Sequence, residues 1–282
     1  LAWLLLAAAA AGPRLPLPDV SSESSPAQQR HALDVELVLD VSASMHAADI
    51  APTRRERAQL EINDWLRRLR GERVGIIVYA GDAGILLPPT DDVALLQRAL
   101  TQARGELIQH PGSHVAAALD LAAQQLRGKH GKAILLVTDA DAASLAGADV
   151  EAARVTAQGL RRDGIPLYVL GVGSAVGAPI PLSDGDFAEQ DGVQVISRMH
   201  ATGYDDLARA SGGRFSRVTD GDADWNTLHD HGIARLPGDP IAPEQVQAWN
   251  ELYAWCLAPA LALLMLTGIR LPSVRRTGRE HA

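Results

Sequence analysis

Asp40-Val41-Ser42-Ala43-Ser44 sets one carboxylate and two hydroxyls at alternate positions. A chain that leaves a strand and turns into a loop can bring three such oxygens to one point. All are hard donors, which suit Mg²⁺ or another divalent cation of that kind better than zinc. Gly112-Ser113 brings a further hydroxyl just ahead of a helical pattern, and Asp139 brings a second carboxylate. Asp40, Ser42, Ser44, Ser113 and Asp139, some acting through water, would satisfy most of an octahedron and leave a position open to an external ligand. Each piece alone has a plainer reading, with Ser42 and Ser44 as helix caps and Asp139 as the cap of a turn. Their conjunction favours the metal, because every piece falls at the end of an expected strand or helix.

Those ends belong to a regular alternation. Apolar runs at 35–39 (VELVL), 74–79 (VGIIVY), 133–137 (AILLV) and 167–170 read as buried strands. Between them, 54–69, 93–100, 115–126 and 146–162 have helical spacing. In the first of these helices Leu60, Trp65, Leu66 and Leu69 are expected on or near one face. The turn at 81–84 leads into an antiparallel edge strand at 85–87. A short helix is expected around 207–210, and a last strand over 214–218. Strands apolar on both faces and separated by helices mean a mostly parallel, doubly wound α/β sheet covered on both sides. Ligands bind such sheets outside the carboxyl ends of the strands, which puts Asp40, Asp139 and the loop after Leu170 on one edge.

Composition excludes several classes. The 282 residues are 47% hydrophobic and 21% charged, enough for a packed core and too apolar for general disorder. A net charge of -8 argues against a general nucleic-acid binder. A lone cysteine, Cys256, excludes an intramolecular disulfide framework and a cysteine-ligated zinc site. There is no GxxxxGK[ST] phosphate loop, no HExxH and no nucleophile–base pair.

Two uncharged apolar runs flank the polar middle. Residues 1–12 (LAWLLLAAAAAG) fit the remnant of a transmembrane helix, the apolar part of a signal peptide, or a buried helix. The chain starts at Leu1, as a processed or truncated product would. Residues 13–30 read as a polar linker. Residues 252–269 (LYAWCLAPALALLMLTGI) are expected to span a membrane, with Tyr253 and Trp255 at the interface, Pro259 as a kink and Cys256 inert in lipid; a buried core helix is the alternative. Arg270, Arg275, Arg276 and Arg279 follow, so the tail 270–282 is expected in the cytoplasm and the domain at 31–220 on the opposite, periplasmic or extracellular, side. Residues 221–250 form the juxtamembrane segment.

DVSAS, PGS and LLVTDA, in this order and spacing, resemble the von Willebrand factor A domain and its metal-ion-dependent adhesion site over about 31–220. The resemblance carries Asp40, Ser42, Ser44 and Asp139 over as metal-site residues. Ser113 stands where the family usually has threonine, and Ala140 where it has glycine. MHAADIAPTRRERAQ, VGIIVYAGDAGILLPPTDD, GVGSAVGAPIP followed by DG, and ASGGRF are similar to the membrane-anchored, BatB-like proteins of aerotolerance (Bat) operons. That resemblance implies a bacterial inner-membrane protein with apolar spans flanking the domain. It also implies other Bat-type membrane subunits and a MoxR-type ATPase as partners.

Other residues have local readings. His46 and His114 read as exposed, Asp141 as a solvated loop charge, and Thr90-Asp91-Asp92 as a helix cap. The stretch 174–198 reads as a hairpin, and its Ser183-Asp184-Gly185-Asp186 turn lacks the full ligand loop of an EF-hand. The leading function is a non-enzymatic, metal-dependent module that binds an Asp or Glu of a protein partner. A metal-dependent hydrolase and a structural membrane subunit without metal are the alternatives.

Overall fold

The computed structural model describes residues 31–103, 110, 112–129, 131–141, 148–182 and 185–240, together with 7, 10, 14–16, 249–251 and 253–268. The chain divides into two compact units, Gln29–Ile241 and the pair of end segments Leu1–Gln28 and Ala242–Ala282.

The larger unit is built on one six-stranded sheet. Its strands are β1 (Asp34–Asp40), β2 (Arg73–Tyr79), β3 (Ala83–Thr90), β4 (Lys132–Thr138), β5 (Leu167–Gly171) and β6 (Phe215–Arg217). Their order is β6-β5-β4-β1-β2-β3. All neighbours are parallel except β3, which pairs antiparallel with β2 at the edge as the turn at 81–84 implied. β1 is buried along its whole length, consistent with a central strand covered on both faces.

Five helices supply the cover: α1 (Arg54–Leu66), α2 (Val93–Gln102), α3 (Val115–Gln125), α4 (Ala148–Arg162) and α5 (Ala201–Ser211). On one face Val35, Leu37 and Leu39 pack with Ile62 and Trp65 of α1 and Leu96 and Leu100 of α2. On the other, Val38, Ile77 and Leu136 pack with Leu119 of α3, Ala157 of α4 and Tyr204 of α5. Alternate residues of each strand thus feed opposite cores. Asp92 caps α2, its Oδ1 accepting from the Leu95 amide at 3.0 Å, as its position before Val93 implied.

One expectation needs correction. Leu60 does not share the buried face of α1 and is 55% exposed; the buried stripe is Ala58, Glu61, Ile62, Trp65 and Leu66. Leu60 is five residues from Trp65, which turns it well away from that stripe at 3.6 residues per turn. Beyond the 31–220 expected for the domain, Trp225, Leu228 and Ile233 are buried in the first core, and Trp225 stacks on Trp65 with centroids 6.0 Å apart. His31–Ala32 pairs with Asp239–Pro240, so the two ends of this unit meet.

In the other unit, 14–16 pairs antiparallel with 249–251. A sixth helix, α6 (Tyr253–Gly268), has 16 residues and contains Pro259. It covers most of the expected span 252–269, but at about 1.5 Å per residue it is about 24 Å long, against a roughly 30 Å hydrocarbon core. No helix among the described residues is long and apolar enough to cross a membrane. Except for Ala7 and Ala10, the apolar run 1–12 lies outside the described residues, as do Leu252, Ile269 and the basic tail 270–282.

Candidate metal site

Parallel register builds the site. Asp40 lies opposite Tyr79 of β2, and Leu39 lies opposite Val137 of β4, so Thr138 and Asp139 reach the same carboxyl edge. The chain leaves β1 as Val41–Ser44 and enters a short 3₁₀ turn at Ala43–His46. The start of α3 arrives from the side, held there because the His114 amide donates to the Ala80 carbonyl at 2.7 Å.

The five residues expected to bind metal come together. Asp40 is fully buried. Its Oδ1 accepts from the Ser42 amide at 2.9 Å, and its Oδ2 accepts from Tyr79 at 3.0 Å, Thr138 Oγ1 at 2.9 Å and Ser113 Oγ at 3.4 Å. Ser42 Oγ and Ser44 Oγ are 3.0 Å apart, and the Ser44 hydroxyl reaches the Asp139 carboxylate. Asp139, also fully buried, accepts from Arg54 Nη1 at 2.8 Å on Oδ2 and from the Asp141 amide at 3.1 Å on Oδ1. Ala140 takes the left-handed conformation with φ 51°, so the turn at the family's glycine position is made with an alanine. The Asp141 amide thus belongs to the site's frame. His46 and His114 are exposed.

Electrostatics set the character of the site. Burial raises the Asp40 carboxyl above the usual range against the pull of its hydrogen bonds. Burial, then the charge of Asp40, raises Asp139 to about 7. Among the described residues every donor to Asp40 is neutral, whereas the Arg54 guanidinium goes to Asp139 and Asp49. Two buried carboxylates within electrostatic reach of each other, one of them without a cation, fit a divalent ion among hard oxygens. Among the described residues no group of three or more His, Cys, Asp or Glu side chains gathers as a metal site. The set found here is instead two carboxylates and three hydroxyls.

Sequence reasoning did not find the residues that frame the donors. Tyr79 and Thr138 read only as strand ends. Arg54 sits in a charged RRER run that resembles a solvated helix start, yet its side chain is fully buried. Its partners Asp49, in a loop, and Ser197, in the short strand Ile196–Ser197, carry no periodic signal, and neither does Ser174, which donates to Asp49.

Known proteins resemble this chain. The von Willebrand factor type A domain model matches residues 35–142. A UPF0353 protein of Nocardia farcinica is 27% identical over 258 residues, 86% of this chain and 75% of that relative. The solved structure of the conserved hypothetical protein BatB from Bacteroides thetaiotaomicron is 33% identical, covering 68% of this chain and 92% of the other, with a TM-score of 0.60. An aerotolerance-related membrane protein from Bacteroides fragilis is 30% identical, covering 72% of this chain and 98% of the other, with a TM-score of 0.63. On this fold, these residues and these likenesses, the chain belongs to the von Willebrand factor type A domain family and is BatB-like within it.

Proposed function

We propose that this protein is a membrane-anchored interaction module whose Mg²⁺, or a similar divalent ion, takes a carboxylate from a protein partner. Asp40, Ser42, Ser44, Ser113 and Asp139 would hold the ion. The observation that carries the reading is their convergence on one sheet edge, with the fully buried Asp40 surrounded by neutral donors. When bound, the ion would supply a positive charge beside Asp40, which Arg54 gives to Asp139 and not to Asp40, and a position for the partner's oxygen. Asp40 and Asp139 both accept from fixed donors and belong to the proposed donor set, which disfavours either as the general base of a hydrolase.

Anchoring is part of the proposal. The apolar stretches 1–12 and 252–269 would attach the protein to a bacterial inner membrane, with 270–282 in the cytoplasm and the domain outside it. Support comes from the apolar composition of α6 and from the Bacteroides fragilis relative, which is described as a membrane protein. Other Bat-type subunits of the same membrane are the natural partners, with a MoxR-type ATPase reached through the tail or another subunit. Affinity capture from solubilised membranes with the full chain tests the reading. Partners should be retained in Mg²⁺ and released by EDTA, and Asp40→Ala should retain none. The same retention in EDTA would contradict it.

A further inference from the structure

Arg54 opens α1, yet its side chain is wholly excluded from solvent. A buried guanidinium is tolerated only with its donors satisfied. Nε and Nη2 donate to the two oxygens of Asp49 at 2.7 and 3.0 Å. Nη1 donates to Asp139 Oδ2 at 2.8 Å and to Ser197 Oγ at 2.7 Å, while Nη2 also reaches the Ser197 carbonyl at 2.9 Å. Asp49 Oδ2 accepts in turn from the amide and the hydroxyl of Ser174, each at 2.8 Å.

Ser174 and Ser197 are the two ends of one excursion from the sheet. The chain leaves β5, forms short antiparallel pairs at 178–179 with 196–197 and 189–190 with 193–194, and returns to α5. Gly177, with φ 73°, closes its base against the Ser197 carbonyl, where a Cβ would overlap that oxygen. Both ends of the excursion therefore hang on one arginine–aspartate pair, and the same arginine also reaches Asp139, a candidate metal ligand, and the Ser44 carbonyl at 3.5 Å.

We propose that Arg54 is a positioning residue that couples metal occupancy at Asp139 to the seating of the 174–197 excursion. The proposal rests on the metal reading above. The cation and the guanidinium draw on the same carboxylate, so strengthening one contact weakens the other. Linkage makes the effect reciprocal: whatever holds the excursion in place changes the affinity for the ion by the same factor.

Ser197→Ala separates this coupling from ligation, because it leaves all five donors intact. With its hydroxyl acceptor gone, Nη1 of Arg54 is left to Asp139 and the more distant Ser44 carbonyl at 3.5 Å, and competes harder with the metal. In the full chain, Mg²⁺ affinity measured by calorimetry should fall roughly three- to tenfold. Hydrogen exchange of 174–197 should respond to Mg²⁺ in the wild type and respond less in Ser197→Ala. Ser174→Ala, which removes one hydroxyl from Asp49 and leaves that carboxylate more fully to Arg54, should act in the opposite direction. Val193→Ser, at a position 69% exposed within the excursion, should behave as wild type. If Mg²⁺ binds but exchange of 174–197 does not change in the wild type, or if both serine variants bind as tightly as wild type, the coupling is overturned and the metal site stands. If the wild type binds no Mg²⁺, the metal reading fails and the coupling fails with it.

Discussion

Glu36 of β1 lies directly across from Gly75 of β2, and its carboxylate occupies the space that a side chain at Gly75 would fill. Glu36 is 1% exposed, and its Oε1 has no hydrogen-bond partner among the described residues. Burial, then the charge of Asp34, raises its carboxyl to about 8. The folded state therefore holds this proton more tightly than an unfolded glutamate near 4.5 does. The Glu36 contribution is most favourable below about pH 4.5, declines as pH rises through about 8, and is level above that. Glu36→Gln removes the titration. In chemical denaturation, the stability of this variant relative to wild type should rise by about 3–5 kcal/mol between about pH 4.5 and pH 9. A constant difference between the two proteins across that range would show that Glu36 is charged in the fold.

The same pair makes a packing prediction. Gly75→Ala forces a Cβ onto the Glu36 carboxylate and should cost about 2–3 kcal/mol of stability. Glu36→Ala opens the space, so Gly75→Ala should cost less than about 1 kcal/mol in that background. Equal costs in both backgrounds would place the clash elsewhere.

The extent of the domain can be tested by truncation. A fragment spanning 29–241 should melt cooperatively. A fragment ending at 220 loses Trp225, Leu228 and Ile233, and with them apolar burial on the order of 5–10 kcal/mol, comparable to the whole stability of a domain this size. It should not show a cooperative transition. A sharp melt of the shorter fragment would mean that these residues add little to the core.

The core beyond residue 220 was hidden because Trp225, Leu228 and Ile233 lie on short irregular helical turns with no sustained period. The sheet was legible for the opposite reason. VELVL, VGIIVY and AILLV are buried on both faces, and each runs to a polar residue, Asp40, Tyr79 or Thr138, at the carboxyl edge. The candidate donors could be proposed from sequence because they are those strand and loop ends. The frame around it was not, because Arg54 meets Asp139 and Ser197 across 85 and 143 residues of chain. Helical periodicity carries no trace of such pairs, and a buried arginine at a helix start looks in sequence like a solvated one.

Proton competition should mark the metal. Asp139, raised to about 7, must lose its proton to bind a cation. Mg²⁺ affinity should therefore climb as pH rises toward 7, by about tenfold per unit, and level off above it. Titrations in buffers of differing ionisation enthalpy should show proton release on binding below that value. Affinity independent of pH would remove Asp139 from the donor set.

The most direct measurement is Mg²⁺ calorimetry on the full chain and on Asp40→Ala and Ser113→Ala. Asp40 supplies a full charge, whereas Ser113 supplies a neutral oxygen. Asp40→Ala should abolish binding, and Ser113→Ala should weaken it by about tenfold. Removing a buried, unpaired carboxylate also relieves its repulsion with Asp139, so metal-free Asp40→Ala should remain folded, with cooperative unfolding as the check. A folded Asp40→Ala that binds Mg²⁺ as tightly as wild type would contradict a metal site at these residues.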